Sequence, residues 1–228
     1  MAGMRMITAA LALALAAPAW PQAATESWDG LVEVRARRLD SAFLMPGADF
    51  RPYRRVMLDE PEVAFRPGWQ QSMQRSRTAR LTDADAARIR EGVAANTTDL
   101  FVDEFTRAGF EVVTVAGPDV LRVRTAVVNL FINAPDVPTA GRNRSFTTNA
   151  GEATLILEAR DSVTGALLAR AVDRQEARGL PGPTTRVSNT SEFRNVARGW
   201  ARIAASRLQA LQGISPVPDT LTPGQRLD

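Results

Sequence analysis

The side chains best suited to chemistry in this sequence are arginines that recur at short spacing. Three of them lie four residues apart near the C-terminus, so on a helix they would form one ridge of like charges. Guanidinium groups bind phosphates and carboxylates through two hydrogen bonds at once. We therefore predict that the following residues bind an anion or an acidic partner: Arg194, Arg198 and Arg202 (the Arg ridge), Arg75 and Arg77, and Arg142 and Arg144.

The Arg ridge also has a purely structural interpretation. Charged side chains on the outer face of a helix are usually solvated. The three arginines could also pair with acids of a neighbouring sheet, for which Glu158, Asp173 and Glu176 are candidates. The sequence leaves both interpretations open, and binding to anionic vesicles or cell-wall fragments by wild type and Arg198→Glu would separate them.

Acidic side chains are the second candidates, because paired carboxylates can act as acid and base or hold Ca²⁺. No cluster has the spacing of an EF-hand loop. The acids at 83 and 85 also suit the first turn of a helix, where the helix dipole favours negative charge. A carboxylate-dependent hydrolase acting on envelope glycans is therefore kept only as the alternative function. Its candidate clusters are Asp83 with Asp85, Asp59 with Glu60 and Glu62, and Asp103 with Glu104.

A third polar group, Asp161-Ser162-Val163-Thr164-Gly165, separates two strand-like runs of similar length. A catalytic Asp-Ser pair would need a base, and the chain has no histidine to supply one. Asp161 can instead accept hydrogen bonds from backbone N–H groups of a turn, and Gly165 tolerates positive φ. The pattern predicts a β-hairpin turn.

Missing residue types limit the chemistry further. The chain has 228 residues, no His and no Cys, and its 28 basic residues are all Arg. It therefore lacks an imidazole base, a thiolate nucleophile and a lysine for a Schiff base. We predict a non-enzymatic protein with no cofactor and no metal. The formal net charge of +3 argues against nucleic-acid binding, which needs a concentrated basic surplus.

Residues 1–24 are typical of a secretory signal peptide. Arg5 precedes an apolar run over residues 7–17, which is followed by Pro18 and small residues. We predict cleavage near Ala23 or Ala24 and a protein that acts in the bacterial periplasm or is secreted. The apolar run is shorter than the ~20 residues that span a bilayer, which weighs against the alternative of an uncleaved membrane anchor.

The remaining sequence predicts an extended N-terminal arm over residues 25–52, a single domain over residues 53–212 and a flexible, Pro-rich tail over residues 213–228. Apolar residues recur at helical spacing over about 82–108 and 190–212, and Thr82 and Asn189 are suited to be N-caps. Alternating and β-branched runs predict strands between these helices. The predicted fold class is α+β, a two-layer sandwich in which a mainly antiparallel sheet of 4–5 strands packs against the two long helices.

Several of these segments resemble a known family. The stretch GPDVLRVRTAVVNL from Gly117, the stretch GEATLILEARDSVTGALLARAVD from Gly151 and the C-terminal amphipathic helix are similar to the bacterial predicted lipoproteins of domain of unknown function 3313. The resemblance implies an exported, envelope-associated protein, and it carries over no functional residues. The chain departs from the family's lipoprotein pattern because it has no Cys to which a lipid could be attached.

These observations together predict an uncharacterised exported protein of the bacterial envelope that acts as a non-enzymatic binding or assembly component. Its arginine surfaces would dock an anionic ligand or an acidic partner. The expected partners are an envelope protein, an anionic lipid or a cell-wall component, with peripheral contact to a membrane and no nucleic acid.

Overall fold

The computed structural model describes residues 29–75, 81–132, 145–146, 151–177, 183–184 and 186–227. Within these ranges the chain forms eleven strands and three helices. The strands are β1 Val32–Arg35, β2 Ser41–Leu44, β3 Arg55–Leu58, β4 Glu62–Phe65, β5 Glu111–Val113, β6 Val120–Ile132, β7 Ser145–Phe146, β8 Gly151–Asp161, β9 Leu167–Ala177, β10 Pro183–Thr184 and β11 Gln225–Arg226. The helices are α1 Trp69–Arg75, α2 Asp83–Arg107 and α3 Arg186–Ile214.

Nine strands form one mixed sheet in the order β11-β1-β2-β9-β8-β6-β3-β5, with β4 also paired to β6. The four pairs from β1 to β6 in this order are antiparallel. The pairs β3–β6, β3–β5, β4–β6 and β1–β11 are parallel. Strands β7 and β10 form a separate two-stranded sheet.

The predicted fold class is therefore wrong. A two-layer sandwich with a mainly antiparallel sheet of 4–5 strands and two long helices was expected, whereas the structure has a mixed sheet of nine strands and three helices in the described ranges. The added strands are two to four residues long. Segments of that length are too short to show the alternation by which a strand is recognised in sequence.

The long strands β6, β8 and β9 form the middle of the sheet. Leu121, Val123 and Leu155 point to the helix side and are almost completely buried. The residues between them on β6, Arg122 and Arg124, lie on the opposite face. Alternation over these strands is visible in the sequence because one sheet face is apolar and the other is polar.

One irregularity interrupts the pairing of β6. The register to β8 shifts between Val128 and Phe131. Asn129 there has a φ of 52°, a left-handed conformation that Asn tolerates better than most residues. The shift bends the strand just before its last pairs with β8.

Helix α2 begins as the sequence predicts. The Thr82 side chain accepts a hydrogen bond from the Asp85 backbone N–H at 3.1 Å, and the Asp85 carboxylate accepts one from the Thr82 backbone N–H at 3.0 Å. This reciprocal pair is a capping box, which satisfies two otherwise unpaired donors of the first turn. Phe101 and Phe105 on this helix pack into the core beneath the sheet.

The other two helices differ from the sequence-based expectations. Helix α3 begins at Arg186, so Asn189 lies inside the helix and is not its N-cap. The segment after Gly68 begins with the short helix α1, which is not among the two predicted helices. Trp69 explains that helix, because its ring stacks on Phe65 with centroids 4.0 Å apart and its indole N–H donates to the Ile132 carbonyl at 3.0 Å.

Both ends of the described chain belong to the sheet and its core. Strands β1 and β2 lie in the segment expected to form an extended arm, and β11 lies in the expected flexible tail. Leu31 and Phe50 are completely buried. The Val217 backbone N–H donates to the Ala48 carbonyl at 2.8 Å, which ties the two segments to each other.

Candidate functional site

Two members of the Arg ridge contact helix α2. Arg194 donates through Nη1 to Oδ1 of Asn96, and Nε of Arg202 lies 3.6 Å from Oε2 of Glu104. Arg198, which lies between them, is half-buried and has no acidic partner among the described residues. The ridge therefore faces the seam between the two long helices, and two of its three guanidinium groups help to hold that seam together.

The other predicted arginines give little further information. Arg75 lies in the last turn of α1, where its Nε donates to the Gln71 carbonyl at 3.4 Å. Arg77, Arg142 and Arg144 lie outside the described residues. The structure thus brings none of these four together with the Arg ridge in the ranges that it describes.

The acidic clusters named as catalytic candidates are engaged by arginines. Asp59 lies 2.9 Å from Nε of Arg122 and 3.5 Å from Nε of Arg124. Glu104 pairs with Arg107 as well as with Arg202, although only 5% of its side chain is exposed. Each of these two carboxylates therefore serves an ion pair within the fold.

Asp85 is held in the same way. Hydrogen bonds from the Thr82 side chain and backbone, together with the neighbouring Arg88, lower its pKa despite the opposing effect of burial. Its role is to cap the helix. In the described ranges no group of three or more acidic side chains has an arrangement that could hold a metal ion.

The Asp161 segment is a hairpin turn, as predicted. Oδ1 of Asp161 accepts hydrogen bonds from the backbone N–H of Val163 at 3.0 Å and of Thr164 at 2.7 Å. Gly165 closes the turn with a φ of 74°. On the other side, the Tyr53 hydroxyl donates to Oδ2 of Asp161 at 2.8 Å, so this carboxylate joins the turn to the segment before β3.

Burial by itself would raise the pKa of Asp161. The hydrogen bonds from Thr164, Tyr53 and Val163 outweigh that effect and hold the pKa of the carboxyl below its usual range. Burial and the hydrogen bond to Asp161 raise the pKa of the Tyr53 hydroxyl. The Asp161 segment is therefore a structural junction. Its polar side chains, which could have done chemistry, are engaged in hydrogen bonds within the fold.

The outer face of the sheet carries a lattice of ion pairs. Glu158 lies between Arg160 and Arg170, with contacts of 2.9 and 2.8 Å. Burial opposes ionisation of Glu158, but the hydrogen bonds from Arg170 and Arg160 lower its pKa. Glu152 pairs with Arg174 at 2.7 Å in the same layer. Because opposite charges alternate across it, this face presents no surplus of either sign around these groups.

A cavity of a different character lies between α3 and the β1–β2 end of the sheet. We call it the flank cavity; its volume is about 110 Å³ and its lining is almost entirely apolar. The cavity exists because alanines of the sheet and of α3 face one another across the gap. Ala42, Ala169 and Ala171 contribute from the sheet, and Ala204 contributes from α3. Small side chains on both walls cannot fill the space between a helix and a sheet.

A more polar cleft adjoins the flank cavity. This flank cleft has a volume of about 620 Å³, and Arg38, Asp40, Gln175 and Asn195 provide its polar groups. Leu39, Trp200 and Ile203 line both spaces and so form the wall between them. The two spaces are therefore neighbouring compartments beside α3.

Four arginines border these compartments. Arg170 pairs with Asp29 and Glu158, and we call the other three the rim arginines. Arg35 and Arg207 line the flank cavity, and Arg38 lines the flank cleft. None of them has an acidic partner among the described residues, although Nη2 of Arg207 donates to the Arg37 carbonyl at 2.9 Å. Arg38 has a φ of 64°, which is uncommon for a residue with a side chain.

Sequence reasoning missed the rim arginines. They come from β1, from the turn after it and from the last half of α3, so their spacing along the chain carries no signal. The run Arg35-Ala36-Arg37-Arg38, with three arginines in four residues, was the only local sign. The tertiary fold alone brings Arg207 to that turn.

A buried carboxylate supports the wall of the flank cleft. Asp173 is only 2% exposed, and its Oδ2 accepts hydrogen bonds from the Trp200 indole N–H and from Nε2 of Gln175, both at 2.8 Å. These bonds fix the Trp200 ring against the cleft. Asp40 is also engaged, because it accepts from the Arg174 backbone N–H at 2.8 Å.

Comparisons with known proteins identify a family but no activity. The model of the family described as "Protein of unknown function (DUF3313)" matches residues 21–204. No curated protein matches the sequence. In the part of the chain that the structure describes, no helix combines the length and apolarity needed to cross a bilayer.

Three solved structures show weak similarity to the chain. A PelC dodecamer from Paraburkholderia phytofirmans is 8% identical, with a TM-score of 0.36 and coverage of 71% of this chain and 96% of that one. Protein XCC0632 from Xanthomonas campestris is 11% identical, with a TM-score of 0.37 and coverage of 72% and 90%. A putative neuraminyllactose-binding hemagglutinin homolog from Helicobacter pylori is 10% identical, with a TM-score of 0.30 and coverage of 73% and 86%. Similarity at this level carries no argument about function.

Proposed function

Because the chain belongs to the DUF3313 family, whose function is unknown, we propose a function from the geometry of the α3 flank. We propose that the protein is a non-enzymatic binding protein of the bacterial envelope, and that it holds an anionic ligand against the rim arginines. The observation that carries the proposal is the position of three guanidinium groups around two adjoining compartments, none of which has an acidic partner in the part of the chain that the structure describes.

The charge balance of the flank supports an anionic ligand. Arg35, Arg38, Arg170 and Arg207 line the compartments, whereas Asp40 is the one acidic residue among the described residues of their linings. Arg170 pairs with Asp29 and Glu158, and Arg122, Arg160 and Arg174 on the outer sheet face also pair with carboxylates. Guanidinium groups without such partners are available for the bidentate bonds that phosphate and carboxylate accept.

The acidic residues support a binding role rather than a catalytic one. A glycan hydrolase needs two carboxylates that face the substrate, one of them able to give up a proton. Asp59, Asp85 and Glu104 are each paired with arginine, away from the flank compartments. The absence of His, Lys and Cys from the sequence leaves few other groups for proton transfer or nucleophilic attack.

The proposed location in the envelope rests on the sequence. The apolar N-terminal segment has the features of a secretory signal peptide, and the resemblance to predicted lipoproteins also implies export. Anionic phospholipid head groups are the ligands of matching charge that such a location offers most directly. We therefore take an anionic head group as the first ligand to test.

The proposal is tested by isothermal titration calorimetry with two short-chain lipids kept below their micelle concentrations. Dihexanoylphosphatidylglycerol is anionic, and dihexanoylphosphatidylcholine has the same chains with a zwitterionic head group. We expect the anionic lipid to bind at least about tenfold more tightly, because each guanidinium–phosphate pair is a charge-assisted hydrogen bond. Equal affinities for the two lipids would contradict the proposal.

The variant Arg38→Gly tests whether the anion binds at the flank, and it should not destabilise the fold. Glycine accepts the observed φ of 64° without steric cost, so the turn should be at least as stable as in wild type while the preference for the anionic lipid is lost. Arg90→Glu on the exposed face of α2 is the control and should retain the preference. Arg198→Glu tests the Arg ridge. If Arg198→Glu loses the preference for the anionic lipid and Arg38→Gly keeps it, the anion binds at the Arg ridge and the assignment to the flank is overturned.

A further inference from the structure

The flank cavity raises a question that an anion-binding cleft alone does not answer. Its volume of about 110 Å³ is several times the roughly 10–15 Å³ that one water molecule needs. Its walls are apolar, apart from the three arginines Arg35, Arg170 and Arg207. Water gains few hydrogen bonds in such a space, so an apolar occupant is favoured.

We propose that the ligand is a single-chain anionic amphiphile, whose alkyl chain enters the flank cavity while its head group stays in the flank cleft. This inference rests on the proposed function and adds the chemical class of the ligand. The two compartments share Leu39, Trp200 and Ile203 as a common wall. A molecule with an apolar and a charged end could therefore lie across that wall with each end in a matching environment.

The chemistry of the walls selects an alkyl chain over a peptide. A peptide segment would bring backbone N–H and C=O groups into the cavity, and these must be hydrogen-bonded when buried. The strands and helix around the cavity use their own backbone groups in pairing. The Trp200 indole N–H is already bonded to Asp173. An alkyl chain needs no such partner.

The rim arginines select the charge of the head group. Arg38 lies in the flank cleft, and Arg35 and Arg207 lie at the flank cavity. Since none has an acidic partner among the described residues, an anionic head group at the boundary matches their charge. A neutral amphiphile would bury the same apolar area but would leave these charges unpaired.

The class of ligand is tested with three soluble probes that separate the chain from the charge. n-Decyl phosphate has both features, methyl phosphate has only the charge, and n-decyl maltoside has only the chain. Each buried methylene contributes roughly a fourfold gain in affinity, so we expect decyl phosphate to bind at least about 100-fold more tightly than methyl phosphate. We also expect it to bind at least about tenfold more tightly than decyl maltoside.

Filling the flank cavity should remove only the contribution of the alkyl chain to the binding affinity. Ala204→Leu and, as a second variant, Ala36→Leu place larger side chains in the flank cavity. We expect each substitution to weaken the binding of decyl phosphate at least about tenfold and to leave the binding of methyl phosphate unchanged. Ala95→Leu, on the exposed face of α2, is the size-matched control and should behave as wild type; thermal unfolding of all three variants checks that each is folded.

The outcomes distinguish this inference from the proposed function. If decyl and methyl phosphate bind equally and both depend on Arg38, the anion site stands and the alkyl-chain inference is overturned. If decyl maltoside binds as tightly as decyl phosphate, the requirement for negative charge is wrong and the proposed function fails. If Ala204→Leu instead dissociates a dimer in sedimentation velocity without changing decyl phosphate binding, a second copy of the chain covers the cavity and the inference is overturned.

Discussion

At the scale of single residues, Asp161 shows how a polar cluster that could suggest catalysis serves the fold. Its carboxylate accepts hydrogen bonds from Thr164, Val163 and Tyr53. A negatively charged acceptor makes stronger hydrogen bonds than a neutral one. The cluster thus joins the β8–β9 turn to the residues before β3, and its hydrogen-bonding groups serve that junction.

Replacing Asp161 with Asn should make the loss of this charge measurable. We expect Asp161→Asn to lower the free energy of unfolding by about 1 kcal/mol at pH 7, because charge-assisted bonds become neutral ones. The folded pKa of Asp161 is lowered from an unfolded value of about 3.9. The stabilisation is therefore present above that unfolded value and is lost as the pH falls through the folded pKa.

Urea denaturation at pH 7 and near pH 2 measures both parts of this expectation. The difference between wild type and Asp161→Asn should narrow at the lower pH, where the wild-type carboxyl is protonated too. Asp99→Asn is the matched control, because Asp99 is exposed and has no hydrogen bond or ion pair within the described ranges. A difference between wild type and Asp161→Asn that stays constant with pH would show that the charge contributes nothing.

At the scale of elements, the pairing of β6 with β8 depends on a glycine. A Cβ atom on Gly151 would lie 2.2 Å from the Phe131 carbonyl oxygen. This contact lies just after the register shift between Val128 and Phe131. The bulge therefore requires a glycine at position 151, since the bend in β6 brings the Phe131 backbone close to Gly151 on β8.

Gly151→Ala should disrupt this pairing. We expect it to lower the free energy of unfolding by about 2–3 kcal/mol, since the backbone of one strand must move to relieve the contact. Urea denaturation measures the change, and amide exchange should show reduced protection at the ends of β6 and β8. Gly92→Ala, in the interior of α2 with open space around the added Cβ, is the control and should stabilise by about 0.5–1 kcal/mol. Equal effects of the two substitutions would refute the close approach.

At the scale of the whole molecule, the terminal segments complete the sheet and core. Strand β11 pairs in parallel with β1, and Val217 is 1% exposed. The tail crosses from the end of α3 to the far edge of the sheet, so it covers part of the β1–β2 end. Proline residues in this tail suggested flexibility, but its isolated apolar side chains supply the burial that holds it in place.

Leu221→Ala tests the contribution of the tail. The side chain is 8% exposed and belongs to the core cluster, so truncation should lower the free energy of unfolding by about 2–5 kcal/mol. Val115→Ala is the comparison, because Val115 is 72% exposed and the change should stay within about 0.5 kcal/mol. A similarly small effect at Leu221 in chemical denaturation would mean that the tail is not part of the cooperative unit.

Elements whose pattern extends over enough residues can be predicted from the sequence alone. The Thr82 cap, the long central strands and the Asp161 turn follow from periodicity and turn chemistry within a few residues. The missing residue types likewise limit the available catalysis without any reference to the fold.

The extent of the sheet and the location of the candidate site depend on contacts between residues that are distant in sequence. Strands of two to four residues are stabilised by neighbours that are distant in sequence, as β11 is by β1. The flank compartments depend on where α3 lies over the sheet, and Arg207 reaches the turn that carries Arg38 from 170 residues away in sequence, as its bond to the Arg37 carbonyl shows. Local patterning carries no information about such encounters, because they are set by how the layers pack.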